Sequence, residues 1–262
     1  MKWSYILFLP ALISIFWAFI IILTRKRLTH AQILFTLSLL VDAVAITSSA
    51  IFFRGQVGNL YIYDYLLEIS VSFCPAIYYI CICSLTEPRG VTLKQRRSFF
   101  PPILFTLGLT IAAFGMHPSR YQAMCLQVID TGHIPWHPSD FPYNFMIFWN
   151  QILFPVFILT SGIIILIMSE RKVRLYKYRF DSFYSKKLNL PHLDIREIVI
   201  ISWIFLPFGM LTIYLIAFRP YYYKYWLILS SILLSVIQYL SGRFAYRYTL
   251  DARFLAKFIK ES

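Results

Sequence analysis

Hydrophobic residues occur along this chain in long blocks that are separated by short polar segments. Seven blocks are candidates for membrane-spanning helices, because such a helix needs about 20 mainly apolar residues. They cover residues 4–23, 31–53, 65–85, 102–116, 143–169, 198–218 and 226–244. The fourth block is the shortest, but Pro101 and Pro102 suit a helix start, where the first N–H groups have no intrahelical partner. The pattern predicts an all-α membrane protein, built as a seven-transmembrane-helix bundle.

The connection between the fourth and fifth predicted helices, residues 117–142, is the longest on its side of the bundle. Residues 121–128 and residues 133–136 flank a short segment that contains Gly132. Two such runs around a glycine-containing turn are typical of a β-hairpin. We therefore expect a small β-hairpin in this connection.

The composition supports the membrane fold. Hydrophobic residues make up 59% of the 262 residues, charged residues make up 14%, and the mean hydropathy is +0.64. A soluble domain of this length could not bury so many apolar side chains, so the surplus must face lipid. We expect one seven-helix domain over residues 1–245. Residues 246–262, where apolar and basic residues interleave, are expected to form a cytoplasmic amphipathic helix.

The basic residues predict the orientation of the bundle. Of the 25 Lys and Arg residues, 20 fall on one side of the bundle, in alternate connections, at the inner end of the last span or in the C-terminal tail, and 5 fall on the opposite side. Because basic loops stay in the cytoplasm, we predict an N-terminus outside and a C-terminus inside a bacterial cytoplasmic membrane. Topology and anionic lipid headgroups then account for the net charge of +13. We expect no direct binding to nucleic acid.

The predicted spans lack the residues that carry chemistry in membrane enzymes and pigments. All five histidines lie in loops or at helix ends, so a haem or metal ion held between helices would have no histidine ligands. The last predicted span contains no lysine for a retinal Schiff base. We expect no catalytic residues, no metal and no cofactor, and we predict that the protein is not an enzyme.

Polar residues inside the predicted helices share faces. Ser38 and Asp42 are four residues apart in the second span, and Ser235 and Gln238 are three apart in the last span. An ionisable residue deep in a membrane is costly and is usually functional. We therefore predict that these four residues form an intramembrane polar centre. Three roles for Asp42 remain open: hydrogen-bonded glue between helices, a ligand for a cation such as sodium, or a protonated group.

A second group of polar residues predicts a ligand-binding cup that faces outwards. Glu68, Asn150 and Gln151 lie one to two turns inside their predicted helices. The connection above them contains Asp130 and Trp136, and we include both as ligand-binding candidates. Ordinary solvation at the membrane interface is the alternative explanation for these residues.

Two short motifs resemble a known family. The sequence Phe73-Cys74-Pro75 in the third span and Asp-Ser-Phe-Tyr-Ser at residues 181–185 resemble the seven-helix sensor region of Bacteroidetes AraC-type membrane regulators and related sensor kinases. The resemblance implies a receptor-like membrane domain that is coupled to a cytoplasmic output. No helix-turn-helix or kinase domain follows the last helix, so we expect a truncated or stand-alone sensor that acts on a separate output protein.

Two other classes of function compete with the sensor. In a small transporter or channel, Asp42 and the polar helix faces would line a permeation path, although the sequence shows no inverted repeat. A structural or assembly factor would need no ligand. The sequence identifies neither the ligand nor the output partner.

Overall fold

The computed structural model describes residues 2–24, 28, 30–54, 58–87, 91–131, 141–184, 199–200, 203–204 and 223–247. These segments are helical apart from short connections, and no strand occurs within them. We number the helices in chain order. The helices are α1 (Leu9–Thr24), α2 (His30–Arg54), α3 (Leu60–Thr86), α4 (Leu93–Arg96), α5 (Phe100–Phe114), α6 (Pro118–Thr131), α7 (Phe141–Phe148), α8 (Phe154–Tyr184) and α9 (Tyr223–Arg247).

Six helical segments in the described part of the chain are long and apolar enough to cross a membrane. They are Tyr5–Thr24, His30–Arg54, Leu60–Thr86, Leu93–Phe114, Phe141–Tyr178 and Tyr225–Arg247. Large apolar side chains cover their outer surfaces; Ile111 is 73% exposed and Phe114 is 86% exposed, as expected for side chains that face lipid. These are the features of an integral membrane protein, and six predicted spans are present. The predicted span 198–218 lies almost entirely outside the described residues, as do residues 248–262 of the predicted C-terminal helix.

Helix α3 occupies the centre of the bundle. It packs against α2, α5, α6 and α8, and its last eight residues, 79–86, are all buried. The two largest apolar cores lie along it. One core surrounds Ile82 near the end of α3, and the other contains Leu60 at its beginning. We call the end of the bundle near Ile82, where Glu87 directly follows α3, the Glu87 end. The opposite end, near Leu60 and α6, is the α6 end.

Helices α1 and α9 approach each other closely at a glycine. Gly242 of α9 lies under the Trp17 ring of α1, and a Cβ atom at Gly242 would overlap that ring. Small residues at such contacts allow helices to pack tightly in lipid, where the hydrophobic effect between helices is lost. Gly242 therefore fixes where α9 crosses α1.

The long helix α7–α8 contains one π-helical turn, Trp149–Leu153. The N–H of Phe154 donates to the carbonyl of Trp149, five residues earlier. Pro155 follows directly, has no N–H to donate, and would crowd the carbonyl of Gln151 in a regular α-helix. The wider turn accommodates this proline, and such turns often occur at functional sites.

The predicted β-hairpin is wrong in its first strand, because residues 121–128 belong to helix α6. The second predicted strand, 133–136, lies outside the described residues. His117 begins the helix: its Nδ1 accepts the N–H of Ser119, and Pro118 occupies the first helical position. Tyr121, Met124 and Cys125 are buried, a spacing that a helix, and not a strand, places on one face.

Candidate functional site

The mid-bundle contact joins Asp42 of α2, Cys74 of α3 and Gln238 of α9. The Cys74 thiol donates to Asp42 Oδ1 at 3.2 Å, and Gln238 Nε2 donates to Asp42 Oδ2 at 3.2 Å. Each carboxylate oxygen therefore has its own donor, and each donor comes from a different helix. The contact ties three helices together near the middle of the predicted spans.

The other residues of the predicted polar centre surround this contact. Gln238 and Ser235 are buried, and the Ser235 hydroxyl donates to the carbonyl of Ser231 within its own helix. Ser38 is half-buried one turn before Asp42. The structure thus brings Asp42 and Gln238 together as the spacing indicated, while a functional role for the four residues stays a prediction. Cys74 was not among the predicted residues, because its thiol is a weak donor that is easily taken for a small apolar group.

The acidic site lies at the α6 end and consists of Asp64, Glu68, Tyr121 and Asn150. Asp64 and Glu68 are one turn apart on α3, and their side chains are 8% and 3% exposed. The Tyr121 hydroxyl donates to Asp64 Oδ2 at 2.8 Å, and Asn150 Nδ2 donates to the same oxygen at 3.3 Å. The site therefore connects α3 with α6 and with the π turn before α8.

Two buried acceptor atoms in the acidic site have no hydrogen-bond partner. They are Glu68 Oε2 and Asn150 Oδ1. Trp149 lies next to Glu68, but its indole N–H completes no hydrogen bond. A buried carboxylate needs donors or an opposite charge, because leaving it without them costs more than any ordinary hydrogen bond contributes. The acidic site is thus short of donors.

Helix α6 covers the acidic site from the end of the bundle. Tyr121, Met124 and Cys125 point into the protein and are at most 2% exposed, whereas Ser119 and Arg120 are exposed. Burial, followed by the nearby Asp64 carboxylate, raises the pKa of the Tyr121 phenol well above its ordinary value. Tyr121 therefore stays protonated and continues to donate to Asp64.

The structure brings together only part of the predicted ligand-binding cup. Glu68 and Asn150 both belong to the acidic site, but Gln151 and Asp130 are exposed and lie outside it. Trp136 lies outside the described residues.

Two members of the acidic site, Asp64 and Tyr121, were not among the predicted residues. The predicted span began at residue 65 and so left Asp64 in a loop. Its position four residues before Glu68 was the signal that could have placed both carboxylates on one helix face.

The Glu87 end holds a third polar group. Glu87 forms an ion pair with Lys172 of α8 and accepts a hydrogen bond from Gln95 Nε2 at 3.4 Å. Thr92 and Gln95 form a reciprocal capping box that starts α4. These contacts fix the connection after α3 to helix α8.

Comparisons with models of known protein families, with curated proteins and with solved structures found no match. Within the described segments, no three His, Cys, Asp or Glu side chains are grouped as a metal site would require.

Proposed function

We propose that this chain is a receptor-like membrane sensor of a bacterial cytoplasmic membrane. It receives an extracytoplasmic signal at the acidic site and passes it to a cytoplasmic partner. One observation carries the proposal: the central helix α3 contributes polar groups to the acidic site and to the mid-bundle contact, and it ends directly before Glu87 and its ion pair. Asp64 and Glu87 are 23 positions apart, so α3 links groups separated by about 35 Å.

The charge distribution supports the orientation that the sensor needs. The 20-to-5 distribution of basic residues favours a cytoplasmic Glu87 end and an external α6 end. Helix α8 continues past its apolar part to Tyr184, and Arg171, Arg174 and Lys177 are exposed along this extension. Such a basic helical surface suits anionic lipid headgroups and an acidic face of an output protein.

The helices that meet at the acidic site also meet at the Glu87 end. Asn150 precedes α8, and Lys172 follows about 33 Å further along that helix. Pro75 in α3 and Pro155 in α8 each remove one backbone hydrogen bond and so make bending easier at these points. A change in the distance between Asp64 and Asn150 would therefore shift α3 against α8.

A spin-label experiment tests this coupling. Labels replace the exposed Lys94 of α4 and Lys177 of α8, in a background in which serine replaces the four native cysteines, so that position 74 keeps a donor for Asp42. The double variant Asp64→Asn/Glu68→Gln imitates an occupied, neutralised acidic site. We expect the label-to-label distance to change by about 2 Å or more, the size of typical helix shifts. Asp130→Asn, which neutralises an exposed acid outside the site, is the matched control; unchanged distances in the double variant would refute the proposal.

A small transporter or channel is the alternative function, and one observation favours it. Asp42, Asp64 and Glu68 place three carboxylates at two depths, and the only basic residue within the predicted spans is Arg243, next to the end of the last one. Such a series could conduct cations. Proteoliposomes that contain the protein should then take up radioactive sodium or protons, and Asp42→Asn should abolish the uptake. Uptake that is lost in Asp42→Asn would mean that the protein is a transporter and not a sensor. If the protein is a sensor, we expect no uptake above that of empty liposomes.

A further inference from the structure

We propose that the acidic site binds a primary ammonium group, so that the ligand of this protein is a small protonated amine. The inference deepens the proposed sensor, because it names the chemical class of the signal and rests on the same site. Binding itself requires no signalling, so it can be tested separately.

The charge of the acidic site favours a cation. Asp64 and Glu68 are like-charged when ionised and lie one turn apart, and their neighbours Tyr121 and Trp149 belong to an apolar core that includes Leu60, Met124 and Met146. The neighbours that the described segments bring to them include Tyr121, Cys125, Asn150 and Trp149, none of which carries a positive charge. Charges buried in apolar surroundings are usually paired, and here the protein supplies no described partner.

The hydrogen bonds indicate which kind of cation fits. Tyr121 and Asn150 both donate to Asp64 Oδ2, so the available donors are concentrated on one atom. Glu68 Oε2 and Asn150 Oδ1 are left buried without a donor. A primary ammonium group has three N–H donors and no acceptor, and it could bond to Asp64, to Glu68 and to the Asn150 amide oxygen. These three groups supply the three acceptors that such a ligand needs.

A divalent metal ion fits the acidic site less well. Calcium takes six to eight oxygen ligands, and magnesium requires near-octahedral coordination. The acidic site offers two carboxylates, one amide oxygen and one phenol that already donates its proton. The described residues also lack a third acidic side chain close enough to complete a metal site.

Helix α6 and the π turn provide the route for the ligand. Asp64 lies only five residues into α3, and α6, which covers it, is not part of any candidate membrane span. Movement of Tyr121 away from Asp64 would open the site to water. The π turn carries Trp149 and Asn150, so a bound amine would contact the segment that begins α8.

The test measures tryptophan fluorescence and thermal unfolding of the full chain in lipid nanodiscs, because Trp149 lies beside Glu68. Ethylammonium chloride is titrated at neutral pH, where the amine is protonated like a lysine side chain. We expect a saturable fluorescence change and, at about 100 times the Kd, a Tm that rises by about 5 °C. Tetramethylammonium, which has no N–H donor, and sodium should cause neither effect.

Variants establish whether the acidic site is responsible. Glu68→Gln should weaken ethylammonium binding by about tenfold to a hundredfold, which is the value of one hydrogen bond to a charged group. Trp149→Phe should remove the fluorescence change but keep the rise in Tm. Asp130→Asn, an exposed acid on α6, should leave the affinity unchanged.

Three results would overturn the inference: no saturable effect of ethylammonium, an equal effect of sodium or tetramethylammonium, or unchanged affinity in Glu68→Gln. The spin-label experiment distinguishes a wrong ligand assignment from a wrong sensor proposal. If ethylammonium does not bind but Asp64→Asn/Glu68→Gln still moves the labels, only the ligand assignment is wrong. If ethylammonium binds and the labels do not move, the site is real and the sensor proposal is wrong.

Discussion

The mid-bundle contact and the acidic site both place carboxylates inside the bundle, but their hydrogen bonds differ. At the mid-bundle contact, the two oxygens of Asp42 receive one donor each, from Cys74 and from Gln238. At the acidic site, two donors converge on one oxygen of Asp64, and Glu68 Oε2 receives none. The carboxylate of the first region has a donor for each oxygen without a ligand, whereas the carboxylates of the second region need further donors.

This difference separates a structural role from a binding role. A carboxylate with matched donors holds helices together, and its value lies in the contact itself. A buried carboxylate that lacks donors weakens the empty protein and gains most from a cation. We therefore assign a structural role between helices to Asp42, the residue selected from the sequence, and the binding role to Asp64 and Glu68.

The largest expected effect comes from removing a donor of the mid-bundle contact. Gln238→Leu leaves Asp42 Oδ2 without its donor and should lower the free energy of unfolding by about 2 kcal/mol. Unfolding in mixed detergent measures the loss. Ile232→Leu, a conservative change at an exposed position of the same helix, serves as the control. A loss no larger than that of the control would mean that the mid-bundle contact is not structural.

The acidic site should respond with the opposite sign. Glu68→Gln replaces a buried carboxyl group, whose ionisation beside Asp64 is unfavourable, by a neutral amide with two N–H donors, and it should raise the free energy of unfolding of the amine-free protein by about 1–2 kcal/mol. The same detergent titration measures the gain, with Asp130→Asn as the control. Destabilisation by Glu68→Gln would show that the charge of Glu68 already has a partner and that the acidic site is not short of donors.

Loss of the Tyr121 hydroxyl should have a smaller and more local effect. Tyr121→Phe removes one donor from Asp64 and should cost about 1 kcal/mol. Because that hydroxyl also ties α6 to α3, hydrogen exchange of the backbone amides should become faster in α6 and stay unchanged in α2. The exposed Tyr178, changed to Phe, is the control. Unchanged exchange in α6 would mean that the hydroxyl does not hold this helix in place.

The smallest effect is expected at Asp42 when only its charge is removed. In Asp42→Asn, an amide group can accept one hydrogen bond and donate another to the buried Gln238 Oε1, which has no partner. Stability should stay within about 0.5 kcal/mol of the original protein, since the number of matched groups does not fall. A large loss would show that the negative charge at Asp42 is itself required.

The features of the fold that depend on residues close together in the chain could be predicted from the sequence. Long apolar blocks predicted six spans that the structure describes, and helical spacing placed Gln238 on the face of α9 that meets Asp42. Both depend on local periodicity, which one sequence displays directly.

The acidic site depends on contacts between distant parts of the chain, and these could not be predicted. Tyr121 reaches Asp64 only because residues 118–131 form a helix that folds over α3, and the spacing there was wrongly taken for a strand. Asn150 reaches Asp64 from the π turn that precedes Pro155. Neither contact leaves a periodic signal in the sequence. The spacing of Asp64 and Glu68 was therefore the only feature of the sequence that pointed to the site.

The measurement that tests the difference between the two regions most directly is the Tm of three proteins with and without ethylammonium. The original protein, Asp42→Asn and Glu68→Gln are compared under identical conditions in nanodiscs. The account predicts that ethylammonium raises the Tm of the original protein and of Asp42→Asn by the same amount, about 5 °C, and that of Glu68→Gln by much less. A rise that is lost in Asp42→Asn and kept in Glu68→Gln would place the binding site at the mid-bundle contact and contradict the account.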